Sequence, residues 1–588
     1  MKSPFEYTSP EALPAQDIID LFVTYSGEYY NVPNTGHTFI NGPRGSGKSM
    51  IFRYMEPDCQ SIVQEKKIED LDYLAIHIPI KEGQLDKTDL SLLKDKHGES
   101  LLNEHFMVIN FAIKIFDCLS NVNFENSNEN FISLKLFFEN TFVSTLKKSF
   151  WNKDVNTEDV KSIKDYFSLI KEICSDLNRD FTRTLIVQIF YAEGNHIPYN
   201  GPLCLFMGFL FDILKGLKNL PFMPKGPLFL MVDDADNLNE IQTKILNTWV
   251  SLRTSKVLSF KISTQLRYKT YKTINNSRID TPHDYSEINI SDIYTTKKGL
   301  YKERIKEAIE RRLKKYNSGE TIKAEEYFPT DEKQEIDVAK LFEKYKSENG
   351  GEKKGYDFAY RYARADFIKN LEGNRNHYSY AGFDSLVNIS SGVMRHFIDF
   401  SHRMYTTQLS KQQTEVKCIS SFVQDDQIKE YSKWFLEDNF DKIREDSENT
   451  PQEFDDFNKL RNLIEALGQT FHLILISNAK ERRVFSFALQ DDPGTDLKRI
   501  LKLGVELGYF QKSLIGNKMG TGQAQLYILN RLLAPYFKLD PSSFAGYKFV
   551  TCNVLEEAMM KPNKIVGRIK RNGVNSVFDE AQLTLFNE

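Results

Sequence analysis

The sequence predicts an α/β protein: a P-loop core with a parallel sheet, a helical lid behind it, and a C-terminal winged-helix-like domain. Three observations lead there. A glycine-rich stretch, GPRGSGKS (Gly42–Ser49), lies between a short apolar run and a helical pattern. A second apolar run, PLFLMVDDADNL (Pro227–Leu238), ends in acids. Predicted strands alternate with helical segments through the first half, as right-handed crossovers in a parallel sheet require.

With 588 residues the chain exceeds what one hydrophobic core serves, and about three or four structural units are expected. The boundaries read from the sequence are a core over 1–295 with a helical insertion at about 85–200, a lid over 296–410, a winged-helix-like domain over 411–545 and a tail over 546–588. Hydrophobic residues at 41%, charged residues at 27% and aromatic residues at 13% describe an ordered globular chain rather than a disordered one. A net charge of -4 excludes a globally basic nucleic-acid coat, though not a local basic face. Six cysteines are scattered without a CxxC pair or a zinc-type His/Cys cluster, so reduced thiols are expected. The N-terminus, MKSPFEYTSPEALPAQ, carries no apolar leader, and the greasiest run, Leu203–Leu214, is interrupted by Gly208 and Asp212. No membrane segment and a cytoplasmic location are therefore expected, with Leu203–Leu214 a buried helix.

Taken in order, His37–Ile40 reads as a strand and Ser49–Met55 as the helix behind the glycine loop, stopping at Pro57. YLAIHIPI (Tyr73–Ile80) is a strand buried on both faces. Leu101–Leu119 has helical spacing, and Asn121–Asn200 is too long for a plain crossover. After the acidic strand come a helix over Ile241–Leu252 and a strand over Val257–Ser263. Tyr301–Tyr316 is a charged helix, and Ser347–Gly355 a loop. Beyond Phe457 a helix, a strand at Val484–Leu489, a helix at Asp496–Gln511, a glycine-bearing turn at Gly516–Gly522 and an extended or helical segment at Ala524–Phe537 suit a winged-helix module.

Gly42, Gly47, Lys48 and Ser49 complete the pattern G-x-x-x-x-G-K-[ST]. Glycines let backbone N–H groups converge on phosphate oxygens, Lys48 brings a positive charge to the β- and γ-phosphates, and the Ser49 hydroxyl can ligand Mg²⁺. The whole loop, including Pro43, Arg44, Gly45 and Ser46, is the candidate nucleotide cradle. Asp233 and Asp234 stand at the end of an apolar strand, the first to support Mg²⁺ and the second to orient an attacking water. Asp234 is one methylene shorter than the glutamate many hydrolases place there, so slow or partner-dependent hydrolysis is expected.

These motifs resemble the AAA+ ATPases, specifically the initiator-type group that includes archaeal and eukaryotic origin-recognition proteins and related ATPases of bacterial genomes. The resemblance spans about residues 20–410 and extends to the polar end of VLSFKISTQ and to SSGVMRHFI (Ser390–Ile398). It implies ATP and Mg²⁺ as ligands, a sensor within Ser263–Gln265 with Thr264 near the nucleotide, and Arg395 on a second sensor helix, where a structural salt bridge competes with a nucleotide contact. An arginine finger at Arg253 competes with a plain helix C-terminal cation. The Asp-Asp pair and the long insertion depart from the family pattern. The resemblance further implies a homo-oligomer, a separate effector protein and an anti-phage defence setting.

The tail ends in AQLTLF, where Gln582, Leu583, Leu585 and Phe586 resemble the peptide by which bacterial proteins bind the sliding clamp. Packing onto the chain's own core is the equal alternative. Three functions stay open: an ATP switch on DNA or in a defence complex, a DNA-binding replication initiator or loader, and a nucleotide-stabilised scaffold. The initiator reading needs a basic recognition helix, and Lys498, Arg499 and Lys502 are offset by Asp496 and Glu506.

Overall fold

A computed structural model describes residues 3–6, 9–23, 31–81, 96–190, 199, 201–252, 257–265, 268–290, 298–317, 319–373, 377–445, 451–516, 523–542 and 546–573. The chain forms two compact units, one from Thr8 to Ser291 and one from Met1–Tyr7 with Asp292–Glu588.

The first unit is built on five parallel strands: β1 (Thr38–Asn41), β2 (Leu74–Pro79), β3 (Leu228–Asp233), β4 (Leu258–Thr264) and β5 (Ser286–Asn289). Their order across the sheet is β2-β3-β4-β1-β5. This is the α/β P-loop AAA+ arrangement that the sequence predicts. The central strands β1, β3 and β4 are buried along their whole length; β3, LFLMVD, reads as a continuous apolar run, whereas β4, LSFKIST, alternates and buries its polar side chains as well. The order matters for the site. It sets β4 between β1 and β3, so the carboxyl end of β4 reaches both the glycine loop and the acids. The edge strand β5, SEIN, has two exposed residues and too little apolar character to be read from sequence.

Helices Lys96–Asn121 and Ile163–Phe190 pack on each other, and the first also packs on β2 and on helix Glu240–Ser251. Phe111, Ile115 and Phe167 share one continuous core with Ile76, Leu230 and Ile262 of the sheet. The long segment between β2 and β3 therefore adds to the core of this unit. The expected helix over Leu203–Leu214 is only partly helical: Met207 and Gly208, with ψ 131° and φ 87°, break it, and the regular helix runs Phe211–Lys218. A buried lysine, Lys261, donates to Asn34 O at 2.6 Å, Gly36 O at 2.8 Å and Thr38 Oγ1 at 3.0 Å, pinning the segment that enters β1.

The second unit begins with helices, among them Lys298–Tyr316, Glu332–Glu348, Lys354–Gly373 and Met394–Gln412. Behind them, helix Pro451–Leu475 precedes a sheet of β6 (Val484–Leu489), β7 (Phe510–Gly516), β8 (Gln523–Leu529) and β9 (Gly546–Val550), ordered β7-β8-β6-β9. The helix–strand–helix–hairpin order, with β8 antiparallel to both β6 and β7, is winged-helix-like. Helix Thr495–Glu506 ends earlier than its apolar pattern suggests, because Gly508 at φ 80° turns the chain into β7. Residues 546–573 join this domain: β9 pairs parallel with β6, and helices Cys552–Met560 and Pro562–Asn572 pack on Pro451–Leu475. The amphipathic spacing of Ile565, Val566 and Ile569, hidden among basic residues, accounts for that burial. No described helix is long and apolar enough to cross a membrane.

Candidate functional site

The loop from Gly42 to Gly47 joins β1 to helix Lys48–Met55. Two of its positions need glycine for backbone reasons: Gly45 at φ 86° and Gly47, the residue capping the helix, at φ 101°. Gly42 is needed for space, since a Cβ there would meet Ser46 Oγ at 2.9 Å. Arg44 is exposed, and Pro43, Gly45 and Ser49 are half-buried. Lys48 is buried and donates to Gly42 O at 2.7 Å and Pro43 O at 3.1 Å. Burial lowers its pKa, opposed by Asp233, Asp234 and Asp236, so three acids stabilise the ammonium inside the loop.

Asp233 closes β3 and is buried. Burial alone would raise its pKa. Instead it is held below the usual carboxylate range by His77, through a hydrogen bond and its charge, and by the hydrogen bond from Ser263, with Ser49 a smaller influence. His77 Nε2 stands 3.2 Å from Asp233 Oδ2, and its Nδ1 stands 3.4 Å from Glu56 Oε1. Flanked by two carboxylates, the imidazole is raised well above its ordinary pKa despite burial. Glu11 brings a third ligand-type atom within 4.8 Å of those of His77 and Asp233.

Asp234 follows in the left-handed region at φ 54°. Its N–H donates to Ser263 Oγ at 2.9 Å and to Asp233 Oδ1 at 3.0 Å, while Ser263 Oγ itself donates to Asp233 Oδ1. The Asp234 side chain is 30% exposed and lies 3.9 Å from Lys81 Nζ. Asp236 is held on a 3₁₀ turn, Ala235–Asn237, where burial raises its pKa and the Gln265 N–H bonded to it opposes that rise.

The two polar residues ending β4 divide their work. Ser263 serves the acids, whereas Thr264 donates its hydroxyl to Asn41 at the end of β1 and its carbonyl accepts from Gly42 N at 3.2 Å. Thr264 thus backs the root of the glycine loop, and Ser263 is the β4 side chain against Asp233. Sequence reasoning missed His77 and Glu56. The one available signal was a histidine inside an otherwise apolar strand, LAIHIP.

Arg395 lies in the first turn of helix Met394–Gln412 of the other compact unit, with Asp399 among its charged neighbours. Arg253 lies outside the described residues, as do Gln582, Leu583, Leu585 and Phe586. Of the candidate recognition residues, Arg499 pairs with Asp456 and Asp496, Lys502 Nζ is 3.6 Å from Glu506 Oε1, and Lys498 is exposed.

A sequence profile described as ORC-CDC6-like matches residues 3–357 and 336–549. The chain belongs to the ORC-CDC6-like family. Among solved structures, it is similar to Orc1 of Aeropyrum pernix in complex with DNA, at 8% identity over 94% of this chain and 96% of that one, with a TM-score of 0.27. It is also similar to Cdc6p of Pyrobaculum aerophilum, at 12% identity over 95% and 97% of the two chains, with a TM-score of 0.25. No curated protein sequence matches it significantly. As an ORC-CDC6-like protein it is an AAA+ ATPase.

The residues present fit a magnesium nucleotide. Ser49 supplies a hydroxyl and Asp233 a carboxylate held ionised, both at the mouth of a loop whose glycines leave the backbone open to phosphate.

Proposed function

We propose that this ORC-CDC6-like chain is a Mg²⁺-dependent ATP switch of the initiator type that assembles on DNA, with slow intrinsic hydrolysis. The observation that carries the nucleotide part is the buried Asp233 at the end of β3, bonded to Ser263 of β4 and acting with its charge on Lys48, which is buried in the glycine loop. Lys48 would turn from the Gly42 and Pro43 carbonyls to the phosphates of ATP. Ser49 and Asp233 would hold Mg²⁺, which supplies charge neutralisation on the β- and γ-phosphates. Asp234 is the residue best placed to orient a water. Its short side chain and its position near Lys81 support slow turnover.

The DNA part rests on the family. It stands ahead of the anti-phage setting, which no structural observation favours. Oligomer formation follows the same family logic.

The test is Lys48→Ala. Wild-type protein should take up ATP with Mg²⁺ in calorimetry, and its affinity for duplex DNA should change with ATP and fall steeply with salt. Lys48→Ala should keep its melting temperature and lose both nucleotide uptake and the ATP effect on DNA. No ATP uptake by the wild type overturns the nucleotide reading, and salt-insensitive or absent DNA binding overturns the initiator reading.

A further inference from the structure

We propose that His77 is a positioning residue for Asp233, acting with Glu56 as a brace that fixes the carboxylate for metal-bound nucleotide. The inference rests on the nucleotide reading above and goes beyond it.

The geometry is a line of three side chains, Glu56, His77 and Asp233. Ser49 lies in the first turn of helix Lys48–Met55, and Glu56 is the residue that ends it. Seven positions of helix span about 10 Å. Asp233 Oδ2 meets His77 Nε2 at 3.2 Å, and His77 Nδ1 meets Glu56 Oε1 at 3.4 Å, with Ser49 among the groups that act on Asp233 from the start of the helix. Phe52, midway along the helix, sets its ring edge-on to the imidazole at 6.0 Å. The end of the helix that follows the glycine loop is therefore tied through His77 to the acid on β3.

Glu56 is held in turn. Arg53 Nη1 reaches Glu56 Oε2 at 3.1 Å, and Arg53 Nη2 reaches Asp58 Oδ2 at 2.7 Å. A carboxylate is an acceptor only, so the ring faces an acceptor at each nitrogen, and its two contacts on opposite edges set its plane. With His77 on Oδ2, and Ser263 and the Asp234 N–H on Oδ1, the Asp233 carboxylate has no freedom to rotate about its last bond. A metal-binding acid held in this way need not be ordered when the ligand arrives, which is the usual contribution of groups that hold a ligand from behind. His77 side-chain exposure is 7% and that of Asp233 is 5%, so water is a poor substitute for either partner.

The experiment measures ATP affinity by calorimetry with Mg²⁺ and with EDTA on full-length wild type, His77→Leu, His77→Gln, Glu56→Gln and the Glu56→Gln/His77→Leu double variant, each checked by thermal melting. His77→Leu should weaken ATP binding about 10–100-fold in Mg²⁺ while leaving the EDTA value within about twofold. His77→Gln, which keeps one N–H toward Asp233, should recover part of the loss. Glu56→Gln should lose less, again only in Mg²⁺, and should add nothing to His77→Leu. Unchanged Mg²⁺-dependent affinity in a folded His77→Leu overturns the proposal, as does an equal loss with and without metal. If His77→Leu does not fold, Glu56→Gln decides: an unchanged Mg²⁺ value overturns the brace. A wild type that binds ATP in neither condition overturns the nucleotide reading itself, so the two failures are distinct.

Discussion

Replacing Ser263 by alanine separates the two polar residues at the end of β4. The Ser263 hydroxyl is fully buried, donates to the Asp233 carboxylate and accepts from Asp234 N–H at 2.9 Å. In Ser263→Ala the Asp234 N–H keeps its second acceptor, Asp233 Oδ1 at 3.0 Å. The net loss is therefore one hydrogen bond to a charged group, about 1.5–3 kcal/mol. For a domain of this size that lowers the melting temperature by roughly 3–10 °C. Asp233 loses a donor as well, so ATP affinity in Mg²⁺ should fall about 10–100-fold, with little change in EDTA. Thr264→Ala is the control. Its hydroxyl bonds the neutral Asn41 side chain, and its carbonyl, which holds Gly42 N, survives the substitution. It should lose about 1 kcal/mol of stability and leave the metal dependence unaltered. Calorimetry in Mg²⁺ and in EDTA, with melting curves on the same samples, reads both effects. A metal-specific loss in Thr264→Ala but not in Ser263→Ala would refute the assignment of the two side chains.

Two buried histidines make the first unit acid-labile. His37 Nδ1 accepts from Phe260 N at 2.9 Å and His105 Nδ1 from Cys204 N at 3.0 Å, and burial lowers both pKa values to about 4. Since the folded values lie below the free value of 6.5, their contribution is full above that pH and is lost as pH falls toward 4, up to about 3 kcal/mol per ring. Denaturant titrations at pH 7 and pH 5 should show the loss, and equal midpoints would contradict it. Gly226→Ala should destabilise by about 3 kcal/mol or more, because a Cβ there would sit 1.5 Å from the Asp72 carbonyl oxygen, backbone that cannot swing aside. A melting temperature within 2–3 °C of wild type, roughly 1 kcal/mol, would show that β2 and β3 are spaced more loosely than described. Native thiol titration should find Cys418 the first to react: it is exposed, whereas Cys59, Cys174, Cys204 and Cys552 are buried. A buried cysteine reacting equally fast would indicate opening of its core.

What could be read from the sequence was whatever leaves a local mark. The glycine loop announces itself because backbone at φ 86° and 101° admits glycine almost alone, and the acids because a strand buried along its whole length should not end in two carboxylates without a use for them. The brace was not legible, because β2–β3 pairing brings His77 beside Asp233 and the packing of helix Lys48–Met55 on both strands brings Glu56 to it, neither of which leaves a local mark in the sequence. The histidine in LAIHIP was visible, but a strand cannot say which neighbour will face it. Residues 546–573 escaped for a different reason. In PNKIVGRIKRN the basic residues dominate the composition, while Ile565, Val566 and Ile569 supply the single buried face that ties the helix to Pro451–Leu475.

The end of β4 is where a switch of this design would have to act. Gly42 N and Asn41 are held by Thr264, Asp233 and Asp234 N by Ser263, and Gln265 N by Asp236, so consecutive residues tie the glycine loop, the acids and the turn after them. The segment beyond is fastened just as firmly: Asn247 Nδ2 donates to Thr270 O at 2.8 Å and to Lys272 O at 2.9 Å, and Tyr268 OH donates to Asn247 Oδ1 at 2.7 Å. A ligand shifts a conformational equilibrium only by the difference in its contacts to the two states. A nucleotide gripped by Lys48 on one side and Asp233 on the other would pull on β4 from both flanks. The strand cannot yield along its buried length, where every residue is enclosed. Displacement would therefore emerge at its carboxyl end and pass through Asn247 to helix Glu240–Ser251, which makes that helix the first element outside the site expected to register whether ATP is bound.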